Sequence, residues 1–209
     1  MWCMMTDAFP MLFKFYHDAG RRSIEKYITT LREKDIITGI ELDIYPDETL
    51  VFEDDLFSEL DIVIGSLHVL DALQKRRPSQ AAIIEFKRLT RSLLSSGKVD
   101  VLGHPFRILS TAGISVSDEL INWVVEECRK YDVSLEINSH YKYPEIDKKM
   151  VQLARKNKVT LVKGSDAHTM KEFGDYSYHA KLLKNITDLS SVSKKATIFD
   201  KMSLAMEAV

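Results

Sequence analysis

The residues of this sequence that could do chemistry are histidines and carboxylates that follow apolar, strand-like segments. A single histidine or acid in such a place is usually structural or solvated. Several together are different, because mixed imidazole and carboxylate donors suit Zn, Mn or Fe and are typical of hydrolytic metal sites. The pattern therefore favours a shared metal site, formed by Glu41, His68, His104, Asp166 and His168.

Strand-like and helix-like segments alternate along the chain, which predicts βα units around a parallel sheet. Because ligands bind at the carboxyl ends of parallel strands, the candidate ligands should meet at one rim of that sheet. The main strands are predicted over 36–44, 61–68, 99–104, 133–138 and 160–166, with shorter ones over 1–6 and 197–199. The helices are predicted over 12–34, 78–94, 117–131, 144–154 and 170–183. Ile24, Ile28 and Leu31 have the spacing of a buried helix face, Ser117 is a plausible N-cap, and Cys128 fits a small core residue.

Composition narrows the class of protein. With 209 residues, 45% of them hydrophobic and 29% charged, the chain is typical of one globular domain and not of a disordered or collagen-like protein. A net charge of -2 argues against a strongly basic nucleic-acid binder. Cys3 and Cys128 are far apart and have no CxxC partner, which favours a reducing, cytoplasmic environment, and no apolar run is long enough for a bilayer.

Five short motifs, in this order, resemble those of the PHP (polymerase and histidinol phosphatase) family. They are Gly39–Glu41, Ile64–His68, Leu102–Pro105, Leu135–Asn138 and Ser165–His168. The resemblance covers roughly residues 1–183 and implies a distorted (β/α)7 TIM-like barrel with up to three divalent metal ions at its C-terminal rim. It also implies that the five candidate residues are metal ligands, with Glu41, His68 and His104 in one subsite, Asp166 toward a second and His168 in a third. We expect one PHP-like domain over 1–209, with a C-terminal extension from 184.

One departure from the family pattern concerns its opening Asp-x-His-x-His motif, which this sequence does not contain. The family's Thr-Asp-His motif resembles Thr6–Ala8, where alanine takes the place of the histidine. We therefore expect a barrel without its first strand and fewer than three metal ions. His17, His140 and His179 are more typical of surface or structural histidines than of replacements.

By this resemblance the expected activity is metal-dependent hydrolysis of a small phosphate monoester, of the histidinol-phosphatase type. Glu41, His68 and Asp166 would act through a metal-activated water. Arg107 could bind the substrate phosphate through its guanidinium, although an arginine there is more often a surface residue. Asn138 could orient the substrate or hydrogen-bond a metal ligand.

Two alternatives stay open from the sequence. The chain could be a catalytically inactive or truncated PHP-like module that binds metal, or an unrelated amidohydrolase-like barrel. The order of Gly103–Pro105 and Ser165–His168 argues against the second. Among partners we expect a small phosphate ester rather than nucleic acid, no membrane, and a homo-oligomer that covers strand edges left unpaired.

Overall fold

A computed structural model describes residues 24–34, 37–51, 55–169, 171–172 and 174–184. Its centre is a five-stranded sheet in which all neighbouring strands are parallel and follow one another in chain order. The strands are β1 (Gly39–Asp43), β2 (Ile62–Ser66), β3 (Val101–Leu102), β4 (Ser134–Asn138) and β5 (Leu161–Gly164). A parallel sheet built in chain order is consistent with the predicted barrel-like α/β class.

Helices and a short 3₁₀ helix connect the strands. Residues 24–32 are helical and are called α1. The others are the 3₁₀ helix (Asp55–Glu59), α2 (Asp71–Gln74), α3 (Ser79–Ser95), α4 (Arg107–Thr111), α5 (Asp118–Tyr131), α6 (Pro144–Lys156) and α7 (Ser177–Lys184). Among these described helices, none combines the length and apolar character that crossing a bilayer requires.

The core lies between the sheet and the helices α3, α5 and α6. All of β4 is buried, as expected for a strand with neighbours on both sides and helices over it. Phe86 of α3 and Val124 of α5 are buried almost completely, and Cys128 is a fully buried core residue, as the sequence predicts. Packing of these amphipathic faces, rather than helix propensity alone, stabilises the helices.

Local capping sets the limits of α5 in the way the sequence predicts. The Ser117 hydroxyl accepts a hydrogen bond from the Leu120 amide at 3.3 Å, which satisfies a donor in the first turn. Asp118 and Glu119 in that turn and Arg129 in the last one complement the helix dipole. Asp132 ends the helix in the left-handed conformation, with φ of 57°.

The helix predicted over 170–183 is wrong at its beginning, because α7 begins only at Ser177. Gly174 has a φ of 72°, a conformation that ends helical geometry. The Asp175 carboxylate then accepts a hydrogen bond from the Ser177 amide at 2.9 Å and starts a new helix. Residues 171 and 172 are part of a turn, which is where Glu172 lies.

Some predicted features lie outside the described residues. These are the strands over 1–6 and 197–199, the first part of the helix over 12–34, the Thr6–Ala8 motif and His17. The described part of that helix agrees with its predicted periodicity, because Ile24, Ile28 and Leu31 are all buried on one face.

Candidate metal site

Three of the predicted ligands meet at the carboxyl end of the sheet. Glu41 lies in β1, and His68 and His104 each come two residues after the end of a strand. Glu41 Oε1 is 3.1 Å from His104 Nε2 and 3.6 Å from His68 Nε2. One donor atom from each residue lies within 4.8 Å of the others, so this group, the Glu41 triad, could hold a metal ion.

Asp43, which the sequence reasoning missed, contacts His68 on the side of the ring that faces away from Glu41. Its carboxylate is buried, and its Oδ2 lies 3.3 Å from His68 Nδ1, while its Oδ1 accepts a hydrogen bond from the Ile44 amide. This contact lacks hydrogen-bond geometry, but a carboxylate beside the far nitrogen still favours the ring orientation that directs the other nitrogen, Nε2, toward Glu41. The signal was available, because Asp43 stands two residues after Glu41 in a strand and therefore shares its face.

A second buried carboxylate, Glu136 in β4, holds the backbone of His104. Its Oε2 accepts hydrogen bonds from the His104 amide at 2.7 Å and from Asn138 Nδ2 at 3.2 Å. The same Asn138 amide donates to Asp166 Oδ2 at 3.0 Å. Asn138 therefore orients groups around the site, while Glu136 is a further residue that the set of candidate ligands had omitted.

The remaining two predicted ligands do not join the Glu41 triad. His168 instead lies with two residues that the sequence reasoning had not selected, His140 and Glu172. His140 Nδ1 is 3.0 Å from Glu172 Oε1, and the His140 and His168 rings stack with centroids 4.0 Å apart. Donor atoms of these three residues also lie within 4.8 Å of one another. Asp166 belongs to neither group, although it is buried and bonded to Asn138.

Tyr141 and Arg107 lie between these groups. The Tyr141 ring is 5.9 Å from the His104 ring and 4.6 Å from the His140 ring, measured between centroids. The Arg107 guanidinium lies over the Tyr141 ring at 4.7 Å. Arg107 and Tyr141 line a cleft together with His104 and Asn138. The arginine is therefore part of the cleft wall, as a phosphate-binding role would require.

The Glu41 triad is electrostatically coupled. Burial alone raises the pKa of Glu41, but the hydrogen bond and charge of His104 outweigh it and lower the pKa below its usual value. Burial lowers the pKa of His104, yet the contact with Glu41 raises it overall. Burial raises the pKa of Glu136 to about 7, although His104 acts to lower it. Glu41 is thus held as a carboxylate, the form that binds a cation.

Buried polar atoms without hydrogen-bond partners indicate that the site fits a metal ion. Glu41 Oε2, His104 Nδ1 and Asp166 Oδ1 are buried and have no hydrogen-bond partner in the described part of the chain. Buried polar atoms normally have partners, so such exceptions call for an explanation, and an ion is one. His104 and Asp166 also have positive φ values of 27° and 47°, and strained backbone of this kind clusters at functional sites.

Comparisons with known proteins agree with these features. No protein-family model matches the chain. The chain is 32% identical over 142 residues to the DNA polymerase/3'-5' exonuclease PolX of Bacillus subtilis, which covers 67% of this chain and 23% of that protein. It is 28% identical over 133 residues to a probable phosphatase of Clostridium botulinum, which covers 61% of this chain and 49% of that protein. The chain thus spans about half or less of these relatives, and the similarities support a PHP-like family at low sequence identity.

Proposed function

We propose that this chain is a metal-dependent phosphoesterase that hydrolyses a small phosphate monoester, in a distorted (β/α)7 barrel of the PHP type. The observation that carries the proposal is the Glu41 triad, with one buried carboxylate oxygen left for a cation. The probable phosphatases among the relatives support the same class of reaction. Among small phosphate monoesters, the sequence resemblance favours a substrate like that of the histidinol phosphatases.

Each residue of the site would have a role that follows from its position. Glu41, His68 and His104 would hold the cation, while Asp43 and Glu136 keep the two histidines oriented. A bound divalent cation supplies Lewis acidity toward a phosphate oxygen and toward water. Its identity among Zn, Mn and Fe is left to experiment, because all three accept this donor set.

Arg107 and Asp166 are proposed to complete the site on the substrate side. The Arg107 guanidinium could bind two phosphate oxygens at once, and its place over the Tyr141 ring limits its freedom before substrate arrives. Asn138 holds one oxygen of Asp166, which leaves the buried Oδ1 of that carboxylate for an ion or a water molecule.

Hydrolysis of p-nitrophenyl phosphate by the full chain with added Mn²⁺ tests this proposal. We expect His68→Ala and Asp166→Ala to lower kcat/KM by about 100-fold or more, which corresponds to about 3 kcal/mol of lost transition-state stabilisation. Arg107→Ala should act mainly by raising KM. The matched control is Arg129→Ala, an exposed arginine in the last turn of α5. Equal activity in wild type and His68→Ala would refute the proposal.

A second candidate function is a metal-binding module without hydrolytic activity. Ala8 favours it, because alanine takes the place of the histidine of the family's Thr-Asp-His motif and removes one ligand of the family pattern. Metal binding that depends on His68, together with no hydrolysis of either p-nitrophenyl phosphate or a phosphodiester, would support this reading. The phosphodiester is included because one relative is named an exonuclease.

A further inference from the structure

We infer that His140, His168 and Glu172 form a second transition-metal site, separate from the Glu41 triad. Two imidazoles and one carboxylate are a donor set that binds Zn²⁺ or Fe²⁺ and keeps coordination positions open. The inference goes beyond the proposed function, because ion binding here requires no hydrolysis. It also goes beyond the family resemblance, which implies a metal at His168 but gives no role to His140 or Glu172. This group is called the His140 triad below.

The distances within the His140 triad suit a shared cation. His140 Nδ1 and Glu172 Oε1 are 3.0 Å apart, close to the roughly 3.3 Å that separates two ligands on a tetrahedral Zn²⁺. The His140 and His168 rings are nearly parallel, at an interplanar angle of 18°. Because imidazole lone pairs lie in the ring plane, the two rings must tilt toward each other to bring the three donor atoms, now within 4.8 Å, to one ion.

Hydrogen bonds that involve the backbone orient the His168 ring and position the loop that carries His140. His168 Nδ1 is 2.6 Å from the carbonyl oxygen of Asp166, and a carbonyl only accepts, so Nδ1 carries the proton and the lone pair is on Nε2. Asn138 Oδ1 accepts a hydrogen bond from the His140 amide at 2.9 Å, which places the start of this loop. Such contacts around a ligand are typical of metal sites.

The two carboxylate oxygens of Glu172 make different contacts. Oε2 accepts hydrogen bonds from the amides of His168 and Thr169, both at 2.9 Å, and so closes the turn that carries His168. Oε1 faces His140 and is the oxygen that would bind the ion. With Nδ1 on the ion, the neutral imidazole of His140 would carry its proton on Nε2, so binding requires a change of tautomer and not the loss of the ring proton.

The two triads share no residue, and each takes its ligands from different strands. The Glu41 triad belongs to β1, β2 and β3, whereas the His140 triad follows β4 and β5. Tyr141 contacts rings of both groups, with its centroid 5.9 Å from His104 and 4.6 Å from His140.

Titration of the full chain with Zn²⁺ against a chromogenic chelator tests the inference. We expect two Zn²⁺ per chain in wild type, and a loss of at least 10-fold in affinity at one of the two sites in His140→Ala and in Glu172→Gln. Glu172→Gln can keep both backbone hydrogen bonds, which guards against misfolding, and circular dichroism verifies the fold. The matched control is Glu145→Gln, an exposed acid in the first turn of α6.

His68→Ala separates the two sites. It should remove the ion of the Glu41 triad and leave the ion of the His140 triad, which Co²⁺ absorption spectra of the same variants can report. One Zn²⁺ per chain that His68→Ala abolishes would overturn the inference, and so would two-ion binding of wild-type affinity in Glu172→Gln. Failure to hydrolyse a phosphate ester would count against the proposed function alone, because this experiment measures only bound metal.

Discussion

Asp147 shows how burial of one residue makes stability depend on pH. Its side chain is buried in α6, where its Oδ2 accepts hydrogen bonds from the Tyr143 amide and from the Tyr178 hydroxyl of α7. Burial raises the pKa of Asp147 from 3.8 to about 6, against the lowering effect of the Tyr178 hydrogen bond. The folded protein therefore binds this proton more tightly than the unfolded chain does.

Asp147→Asn should stabilise the protein at pH 8. The neutral carboxyl favours the folded state fully below about pH 4, and this contribution is lost as pH rises through about 6. Two pKa units correspond to about 3 kcal/mol, and asparagine keeps an oxygen for both hydrogen bonds without the charge. Urea unfolding of wild type and variant between pH 4 and pH 8 should show a gain of about 1–3 kcal/mol at pH 8 that shrinks toward pH 4.

Glu145→Gln is the control for that measurement, because Glu145 is exposed on the same helix. Its unfolding free energy should follow wild type over the whole pH range. A variant Asp147→Asn that is less stable than wild type at pH 8 would show that the charged form is the one the fold favours.

At the scale of elements, the close approach of β4 and β5 helps to position His104 of the Glu41 triad. Gly164 in β5 leaves room for the Glu136 side chain of β4, since a Cβ at this position would lie 1.7 Å from Glu136 Oε1. Glu136 in turn holds the amide of His104 after β3. A glycine in one strand thus determines the position of a histidine two strands away.

Gly164→Ala should weaken metal binding without touching a ligand. The added methyl group must displace the Glu136 carboxylate, which removes the acceptor of the His104 amide. We expect the Zn²⁺ affinity of the Glu41 triad to fall by about 10-fold, the lower end of what loss of an outer contact costs. Stability should fall by about 1–3 kcal/mol, as overpacking usually causes.

Gly97→Ala is the matched control for Gly164→Ala. Gly97 has a φ of 69°, but a Cβ there meets nothing within 4 Å. The substitution should therefore cost about 1–2 kcal/mol of stability through backbone strain and leave Zn²⁺ affinity unchanged. Unchanged Zn²⁺ affinity in Gly164→Ala as well would show that Glu136 does not position His104.

At the scale of the whole molecule, bound ions would join strands that the chain connects only through long crossovers. Glu41, His68 and His104 come from three neighbouring strands, so a shared ion would cross-link the carboxyl ends of β1, β2 and β3. An ion that binds only the folded state stabilises it by mass action.

Zn²⁺ should therefore raise the Tm of the full chain, and a chelator should lower it. At a free concentration 100 times the Kd, one site contributes about 2.7 kcal/mol. For a chain of this size that corresponds to about 5–10 °C in differential scanning calorimetry. The double variant His68→Ala/His140→Ala should show no shift with Zn²⁺, and a wild-type Tm that is insensitive to both Zn²⁺ and chelator would contradict ion binding by the fold.

The spacing of apolar residues predicted much of the fold, because it indicates which side of a strand or helix is buried. The segments predicted over 61–68 and 133–138 contain the observed strands Ile62–Ser66 and Ser134–Asn138, and the Ser117 cap lies where it was predicted. The convergence of Glu41, His68 and His104 followed from a general property of parallel sheets, whose strand ends meet at one rim. The late beginning of α7 was missed, because the positive φ of Gly174 interrupts helical geometry and a backbone angle cannot be predicted from the apolar pattern.

The sequence by itself determined the parallel α/β arrangement and the ligand types, because burial patterns and donor chemistry are properties of short segments. Only the tertiary structure decided which neighbours those ligands have, with His140 and Glu172 beside His168. The contact between His140 and Glu172 joins residues 32 positions apart through two loops. The path of a loop depends on the packing of the elements it connects, and local periodicity contains no record of that packing.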